Sequence, residues 1–336
     1  MKFQPKTKLL LRAGAEETDN DVWLWLKKTH ISGTDAGVIM GKNPYKTPYA
    51  LFFEKVLPDD KLGGDDVGAK ESVHFGKVLE EVVASEFTRR TGLKICRRGT
   101  LADRCCDYRI ANIDRKIIGE NAGLECKTTS YMNREQWEDG KIPLHYYYQC
   151  LHYMLVLFCD ADGKLLGKYH DACWYIACLV GGQKFVYHKI KFDQDDAYEL
   201  AAKEKEFYGR IVNNLPPPIT DAPSDEEFAK RTEADKDYCA LPDDLDEVAV
   251  RLKNLQEVEK EAKTAIQGLK NKLIEAMREY ETAESSHFTF TFKPSKPREA
   301  VQIGRLKEHE EIYNLLKEKG LITVSNQVRA FRMKEK

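Results

Sequence analysis

Apolar and polar residues alternate with a helical period between positions 72 and 91. Ser72 can cap the helix that this period predicts, and Gly92 can end it. At roughly 100° per residue, one face of the helix is apolar. That face comprises Phe75, Val78, Leu79, Val82, Val83 and Phe87. Glu80 falls at the edge of the stripe, where a carboxylate can reach into a pocket; Glu81 points away, and Glu86 is a rival to Glu80.

Shorter apolar segments follow this helix and predict a sheet with helices on its faces. Strand candidates lie around 94–97, 108–112, 116–118 and 124–128, which together suggest an antiparallel meander, and later at 174–179 and 185–190. Aromatic-rich residues 143–158 and the segment 197–213 predict helices. This order indicates an α/β (α+β) core, a central mixed sheet flanked by helices.

The composition changes at Leu215, where three prolines follow. We therefore predict a core over 1–215, a Pro-rich acidic linker over 216–246 and a C-terminal extension over 247–336. The extension begins with a long helix over 247–281, whose narrow apolar seam fits a helical hairpin, a docking helix or a coiled-coil strand. An aromatic strand over 287–293, a helix over 306–319, a closing strand over 328–333 and a basic tail are predicted after it.

A candidate catalytic pattern lies on the fourth strand, where Glu125 and Lys127 are two residues apart and so face one side. Asp114 sits between two apolar segments, at a strand end. With Glu80 these acids predict a hard anionic site for Mg²⁺, to which the carbonyl of Cys126 adds a ligand. Lys127 would orient or deprotonate the attacking water or stabilise the transition state, and Gln149 would hold the water or the DNA backbone.

Composition narrows the function classes. The net charge of −2 leaves only local basic patches for a nucleic-acid partner. Nine scattered cysteines without a Cys-x-x-Cys pair argue against a zinc ribbon and an iron–sulfur site, and fit free thiols in a reducing, cytoplasmic compartment. We expect no membrane association and no signal peptide. Paired acids also occur in glycosidases, but the adjacent Lys127 and the lack of a sugar-stacking aromatic beside the acids argue against that reading.

Several segments, in this order, resemble the PD-(D/E)xK nucleases, and among them the YqaJ-like viral recombinases related to phage lambda exonuclease. The segments are 31–41, 43–45, 75–80, 111–115, 123–129 and 148–154, within about 20–215. The resemblance implies a PD-(D/E)xK core and an Mg²⁺-dependent exonuclease, with Mn²⁺ as a substitute. Such an enzyme digests the 5′-ended strand of double-stranded DNA ends and leaves 3′ single-stranded tails for recombination.

The same resemblance assigns roles to individual residues. Asp114 and Glu125 would bind the metal, Glu80 would support a second metal or its water, Lys127 would act on the nucleophile, and Gln149 matches the family's glutamine. Lys27 stands where the family carries an arginine that grips the 5′-phosphate; lysine keeps the charge but loses the bidentate fork. Ser32 and Thr34 match the hydroxyls of that pocket. A homotrimeric ring and a phage single-strand annealing partner are implied as well.

Two rival functions remain open from the sequence. One is a structure- or site-specific endonuclease on the same fold, which would cut a closed circular duplex. The other is a non-catalytic DNA-binding scaffold that acts through the long helix. The complete set of acids argues against the scaffold.

Overall fold

A five-stranded mixed sheet forms the centre of the fold, with strand order β2–β5–β6–β7–β8. The strands are β2 (Ile95–Cys96), β5 (Arg115–Ile117), β6 (Ala122–Thr129), β7 (Cys173–Val180) and β8 (Lys184–Lys191). Only the β6–β7 pair of this sheet is parallel. The computed structural model describes residues 7–14, 18–58, 71–231, 239–294 and 302–322.

A smaller antiparallel sheet and seven helices complete the described residues of the first unit. The small sheet contains β1 (Thr7–Leu9), β3 (Thr100–Asp103) and β4 (Ile110–Asn112). The helices are α1 (Asn20–Thr29), α2 (Gly33–Ile39), α3 (Pro48–Val56), α4 (Glu71–Thr91), α5 (Leu144–Phe158), α6 (Gln194–Val212) and α7 (Pro223–Arg231). Short 3₁₀ helices at Tyr131–Gln136 and Gly167–Tyr169 lie in loops.

Helices cover both faces of the central sheet, and β7 shows how its sequence achieves this. Successive side chains of a strand point to opposite faces. Trp174 and Ile176 pack into the cluster that contains α5, whereas Cys173 and Ala177 pack into the cluster that contains Val83 of α4. The predicted fold class, a central mixed sheet flanked by helices with a C-terminal helix-and-strand extension, is confirmed.

The predicted strand meander is wrong in one respect. β4 pairs with β3 in the small sheet, whereas β5 pairs with β2 and β6 in the central sheet. The chain crosses from one sheet to the other at Ile113 and Asp114, between β4 and β5. The crossover places Asp114 at the junction of two sheets, beside the middle of β6.

Helix α4 matches its predicted length, but only part of the predicted apolar stripe is buried. Val83 and Phe87 are buried, together with Ala84, against the central sheet. Phe75, Val78 and Val82 are about half exposed, at 50%, 53% and 52%. The sheet contacts one side of the C-terminal half of the helix, so the wider predicted face does not all become core.

Gly123, in the middle of the sheet, supports a prediction about stability. A Cβ atom there would lie 2.3 Å from the ring of the fully buried Trp174. We expect Gly123→Ala to lower the free energy of unfolding by about 1–3 kcal/mol through overpacking. Gly209, inside α6 with open space around it, is the matched control; Gly209→Ala should raise stability by about 0.5–1 kcal/mol. Equal urea-unfolding midpoints for the two variants would contradict this reading of Gly123.

The chain divides into two compact units, Met1–Arg231 and Thr232–Lys336. α7 lies within the segment predicted as a linker, yet it packs on the first unit. Its Phe228 stacks on Phe53 at a ring-centroid distance of 6.2 Å. Asp225 is buried and accepts hydrogen bonds from Thr47 Oγ1 and from Thr220.

The second unit contains α8 (Asp244–Met277), the hairpin β9 (Thr282–Glu284) and β10 (Thr289–Thr291), and the short helices α9 (Ile303–Leu306) and α10 (Glu310–Glu318). The predicted long helix and aromatic strand correspond to α8 and β10. The predicted strand over 328–333 and the basic tail lie outside the described residues. None of the described helices combines the length and the apolar character needed to cross a membrane.

Candidate active site

Strand β6, helices α1, α2 and α5 and the turn between β4 and β5 enclose a cleft of about 190 Å³. Seven of the predicted site residues line it: Lys27, Ser32, Thr34, Asp114, Glu125, Lys127 and Gln149. The alternation of the strand explains why Glu125 and Lys127 share the cleft. Cys126 lies between them and packs against the hydrophobic cluster on the opposite face, as predicted.

Glu125 is held firmly through one of its two carboxylate oxygens. Oε1 accepts a hydrogen bond from Gln149 Nε2 at 2.7 Å and lies 2.6 Å from Lys127 Nζ. Oε2 is buried and accepts no hydrogen bond of normal geometry, although the hydroxyl of Tyr153 lies close enough to lower the pKa of this carboxyl. A buried carboxylate oxygen without a well-formed hydrogen bond is costly, so this atom marks the place where a cation or a donor is expected.

Asp114 presents a second carboxylate to the same cleft. Its Oδ2 accepts a hydrogen bond from the backbone N–H of Cys126 at 2.7 Å, which fixes the side chain against β6. Burial raises the pKa of Asp114 well above its ordinary value, and the nearby charges of Glu125 and Glu80 raise it further. Burial likewise raises the pKa of Glu125, although Lys127 opposes the shift. Both carboxylates therefore require compensating positive charge to be ionised together.

This donor set fits a hard divalent cation. Oε2 of Glu125 and the second oxygen of Asp114 are oxygen ligands of the kind that Mg²⁺ prefers, with water and substrate oxygens to complete its shell. The carbonyl of Cys126 as a further ligand stays a prediction. Among the described residues, no three His, Cys, Asp or Glu side chains are gathered as a metal-ligand group. The protein thus offers an acid pair, and Asp114 and Glu125 are the residues that would hold the cation.

Glu80 lies beside the cleft and pairs with Arg115, whereas Asp114 and Glu125 line the cleft itself. Oε1 of Glu80 lies 2.5 Å from Nη1 of Arg115, whose Nη2 lies 2.9 Å from Glu81. The charge of Glu80 nevertheless contributes to the pKa of Asp114 and Glu125. The rival acid Glu86 forms ion pairs with Arg89 and Arg90 on the surface. The role of Glu80 beside a second ion stays a prediction.

Lys127 brings an ammonium to the acid pair. Its Nζ also lies 4.5 Å from the centre of the Tyr146 ring, within cation–π range. Burial alone would lower the pKa of Lys127, but Glu125, Tyr146 and Asp114 together hold it above its ordinary value. Asp114, Glu125 and Tyr146 therefore favour the charged form of Lys127.

The start of α2 forms the other end of the cleft. Ser32 and Asp35 form a capping box, in which the backbone N–H and the hydroxyl of Ser32 donate to Asp35 Oδ2 at 2.8 and 2.9 Å. Thr34 Oγ1 lies 3.1 Å from Ser32 Oγ. Lys55 donates to Asp35 Oδ2 and to the carbonyls of His30 and Lys27, so its charge is compensated within the protein.

Lys27 connects this cleft to a neighbouring one. It also lines a larger adjacent cleft of about 670 Å³, together with Lys46 and Lys55. Its Nζ lies 4.6 Å from the ring centre of Trp23. Burial lowers the pKa of Lys27, Asp35 raises it, and the nearby lysines lower it further. Lys46 and Lys55 form ion pairs with Glu54 and Asp35. The ammonium of Lys27, beside the hydroxyls of Ser32 and Thr34, suits a phosphate group.

Comparison with known proteins identifies the domain that carries the cleft. Residues 22–161 match the profile of the YqaJ-like viral recombinase domain. This part of the chain is similar to that family. The matched range includes every residue named above around the acid pair. The chain is also 36% identical over 224 residues to the uncharacterized protein YqaJ of Bacillus subtilis strain 168, and the match spans 65% of each protein.

Solved structures also show similarity to the chain. An alkaline exonuclease from Laribacter hongkongensis, solved alone and in complex with dAMP, aligns with 58% of this chain and 94% of its own. Its TM-score is 0.44, with 12% and 13% identity for the two structures. A phage-related exonuclease from Haemophilus somnus 129PT aligns with 55% of this chain and 96% of its own, with a TM-score of 0.37 and 12% identity.

The first unit contains a buried ionic network that the sequence analysis missed. Glu204 Oε2 lies 2.7 Å from Arg109 Nε, and its Oε1 lies 2.6 Å from His152 Nδ1; all three residues are fully buried. His152 Nε2 lies 2.9 Å from the carbonyl of Ile110, a residue that lines the cleft. The network joins α5 and α6 to the edge of β4, and so supports one wall of the site.

Tyr153 is a second missed residue of the YqaJ-like domain. Gln149 Nε2 donates to the hydroxyl of Tyr153 at 2.8 Å as well as to Glu125. Tyr153 therefore orients the amide of Gln149, which in turn orients the carboxylate of Glu125. A Cβ atom on Gly33 would lie 2.5 Å from its ring, so Gly33 lets α2 approach α5 closely. The i, i+4 spacing of Gln149 and Tyr153 on α5 was the sequence signal for this pair.

Proposed function

We propose that the protein is an Mg²⁺-dependent double-strand DNA exonuclease that digests the 5′-ended strand and leaves 3′ single-stranded tails. The buried Oε2 of Glu125, beside Asp114 and the ammonium of Lys127, carries the proposal. The two carboxylates repel each other and so favour a divalent cation between them, and the ammonium of Lys127 lies beside them. Such a site suits hydrolysis of a charged phosphodiester. The similarity of residues 22–161 to the YqaJ-like viral recombinase domain supports the same conclusion.

Each residue around the cleft has a part in the proposed reaction. Asp114 and Glu125 hold the cation, which when bound supplies positive charge that activates water and polarises the phosphate. Gln149 keeps Glu125 in place. The ammonium of Lys127 is proposed to orient the attacking water or to donate a hydrogen bond to the phosphoryl oxygens as negative charge grows there.

The products of the proposed reaction fit the second half of the cleft. Water adds to phosphorus and the P–O3′ bond breaks, so the released nucleotide leaves with a 3′-hydroxyl. The shortened strand then carries a new 5′-phosphate. Lys27, Ser32 and Thr34 are proposed to bind this phosphate at every cycle, which would position the next bond over the acid pair.

We predict that Lys27 determines the preference for phosphorylated ends. Lys27→Ala should reduce digestion of 5′-phosphorylated duplex by about 10–100-fold, since a charge-assisted contact contributes about 1.5–3 kcal/mol. Lys27→Arg should keep the preference. The measurement is the initial rate on duplexes with 5′-phosphate or 5′-hydroxyl ends. Lys42→Ala, an exposed lysine just after α2, is the charge control; an undiminished preference in Lys27→Ala would contradict the assignment.

The same assay design separates the proposal from an endonuclease. Linear duplex labelled at each end and covalently closed circular duplex are incubated with the protein and Mg²⁺, with or without a chelator. The exonuclease should release nucleotides from the 5′-ended strand of linear duplex and leave the circle intact. Linearisation of the circle would favour the endonuclease, and an absence of any cleavage would favour the scaffold.

The proposal includes partners and place of action. By family resemblance we propose a homotrimeric ring around DNA, a phage-type single-strand annealing protein as the recombination partner, Mn²⁺ as an alternative cofactor and action in the cytoplasm. Sedimentation analysis of the purified chain tests the ring, and a monomer at all concentrations would overturn that part.

A further inference from the structure

Helix α8 carries a heptad seam that the proposed nuclease function does not use. Starting at Leu245, apolar residues recur with alternating spacings of three and four, which gives the average period of 3.5 that is typical of coiled coils. The seam comprises Leu245, Val248, Leu252, Leu255, Ala262, Ile266, Leu269, Leu273 and Ala276. Glu259 occupies the one remaining seam position.

Most of this seam is open to solvent. Val248 is 59% exposed, Leu255 is 57% exposed and Leu269 is 61% exposed. Burial is confined to the end of the helix, where Met277 is 5% exposed. An apolar face of this length on a helix of 34 residues, interrupted only at Glu259, indicates an interaction surface.

The charges beside the seam are mostly of one sign. The two positions of each heptad that flank the seam carry Arg251, Lys263, Lys270 and Lys272, against a single acid, Asp244. The acids of the helix lie mainly on the outer positions, among them Glu247, Glu257, Glu261 and Glu275. Flanking charges select the partner of a coiled coil, so this seam is complementary to an acidic helix.

The same charges disfavour pairing of α8 with a second copy of itself. A parallel pair would place Glu259 against its own copy within the apolar seam. An antiparallel pair would place flanking lysines against flanking lysines. In the single helix Glu259 is paired with Lys263 at 2.7 Å, and a cation from a different helix could take the same role across the seam.

We propose that α8 docks an amphipathic helix of a different protein, with apolar seam positions, acidic flanking positions and a basic residue opposite Glu259. The docking surface lies on α8 alone, and its ligand is a protein helix of this chemistry. The nuclease cleft is not involved.

The test uses the full chain and two synthetic peptides of about five heptads. Both peptides carry the same Leu and Ile seam with a lysine at the layer of Glu259; one has Glu and the other Lys at every flanking position. Fluorescence anisotropy should show the acidic peptide binding at least about tenfold more tightly than the basic one, with a difference that shrinks at high salt. The double variant Leu255→Asp/Leu269→Asp should abolish binding, whereas Glu257→Gln on the outer face should not.

Three outcomes would overturn the proposal. Equal binding of the two peptides would show that the flanking charges select nothing. No binding of either peptide, with the helical circular dichroism of the chain intact, would show that the seam is not available. Self-association of the wild type that Leu255→Asp/Leu269→Asp removes would identify a second copy as the occupant. Peptide binding and DNA digestion are separate readouts, so failure of one leaves the other to be judged by itself.

Discussion

Replacement of Glu125 by glutamine is expected to reduce the digestion of linear duplex DNA by at least about a thousandfold, equivalent to about 4 kcal/mol of transition-state stabilisation. The change keeps the size of the side chain and an oxygen for the contact with Gln149. It removes the negative charge that pairs with Lys127 and that would hold the cation together with Asp114. The measurement is the rate of nucleotide release from end-labelled duplex at saturating Mg²⁺.

The control for this variant is Glu86→Gln. Glu86 lies on α4 and forms surface ion pairs with Arg89 and Arg90, so its replacement should leave the rate unchanged. Both proteins should show the same helical circular dichroism. A Glu125→Gln protein that digests DNA at the wild-type rate would remove the acid pair from the proposed mechanism.

Glu204→Gln is expected to destabilise the first unit by about 3–5 kcal/mol. The carboxylate of Glu204 lies between Arg109 and His152, and none of the three is accessible to solvent. Removal of one member of a buried ionic network leaves the remaining charges uncompensated, which costs more than the loss of the contact itself. Urea unfolding followed by circular dichroism measures the effect. Glu206→Gln, two residues along α6 in an exposed pair with Arg210, should change stability by less than about 1 kcal/mol.

The network also predicts how stability depends on pH. Burial would lower the pKa of His152, but Glu204 and the carbonyl of Ile110 raise it above its ordinary value. The contribution of His152 to the free energy of unfolding is therefore complete below its unfolded pKa of about 6.5. It is lost as the pH rises through the folded pKa. Burial would raise the pKa of Glu204, but His152 and Arg109 lower it, so its contribution is lost as the pH falls through the folded value.

The loss of unfolding free energy in Glu204→Gln should accordingly be largest between the titrations of Glu204 and His152, at about pH 5–6. This loss should become smaller at more acidic and at more alkaline pH. This profile distinguishes the ionic network from a simple packing role. A deficit that is constant from acid to alkaline pH would contradict the assignment of opposite charges to Glu204 and His152.

Local patterns in the sequence predicted those parts of the site that depend on local geometry. The two-residue spacing of Glu125 and Lys127 is sufficient to place both side chains in one cleft, because strands alternate. Gln149 follows from its place on an aromatic helix. Ser32 was assigned to the phosphate pocket by family resemblance alone, and the structure places its hydroxyl in the capping box at the start of α2.

Features that depend on distant partners were not predictable in this way. Arg109 stands beside an apolar segment and gave no sign of burial, because its partner Glu204 is 95 positions away. The contact of Glu80 with Arg115 spans 35 positions. The exposure of Phe75 and Val78 depends on which part of α4 the sheet covers, and helical periodicity cannot specify that.

The central claim, that Asp114 and Glu125 share a divalent cation, is tested most directly by titrating the full-length protein with Mn²⁺ and following the free ion by electron paramagnetic resonance. Wild type and Glu86→Gln should bind the ion with equal affinity. Asp114→Asn, with an unchanged circular dichroism spectrum, should bind at the same site at least about tenfold more weakly. Equal affinity of Asp114→Asn and the wild type would contradict the account.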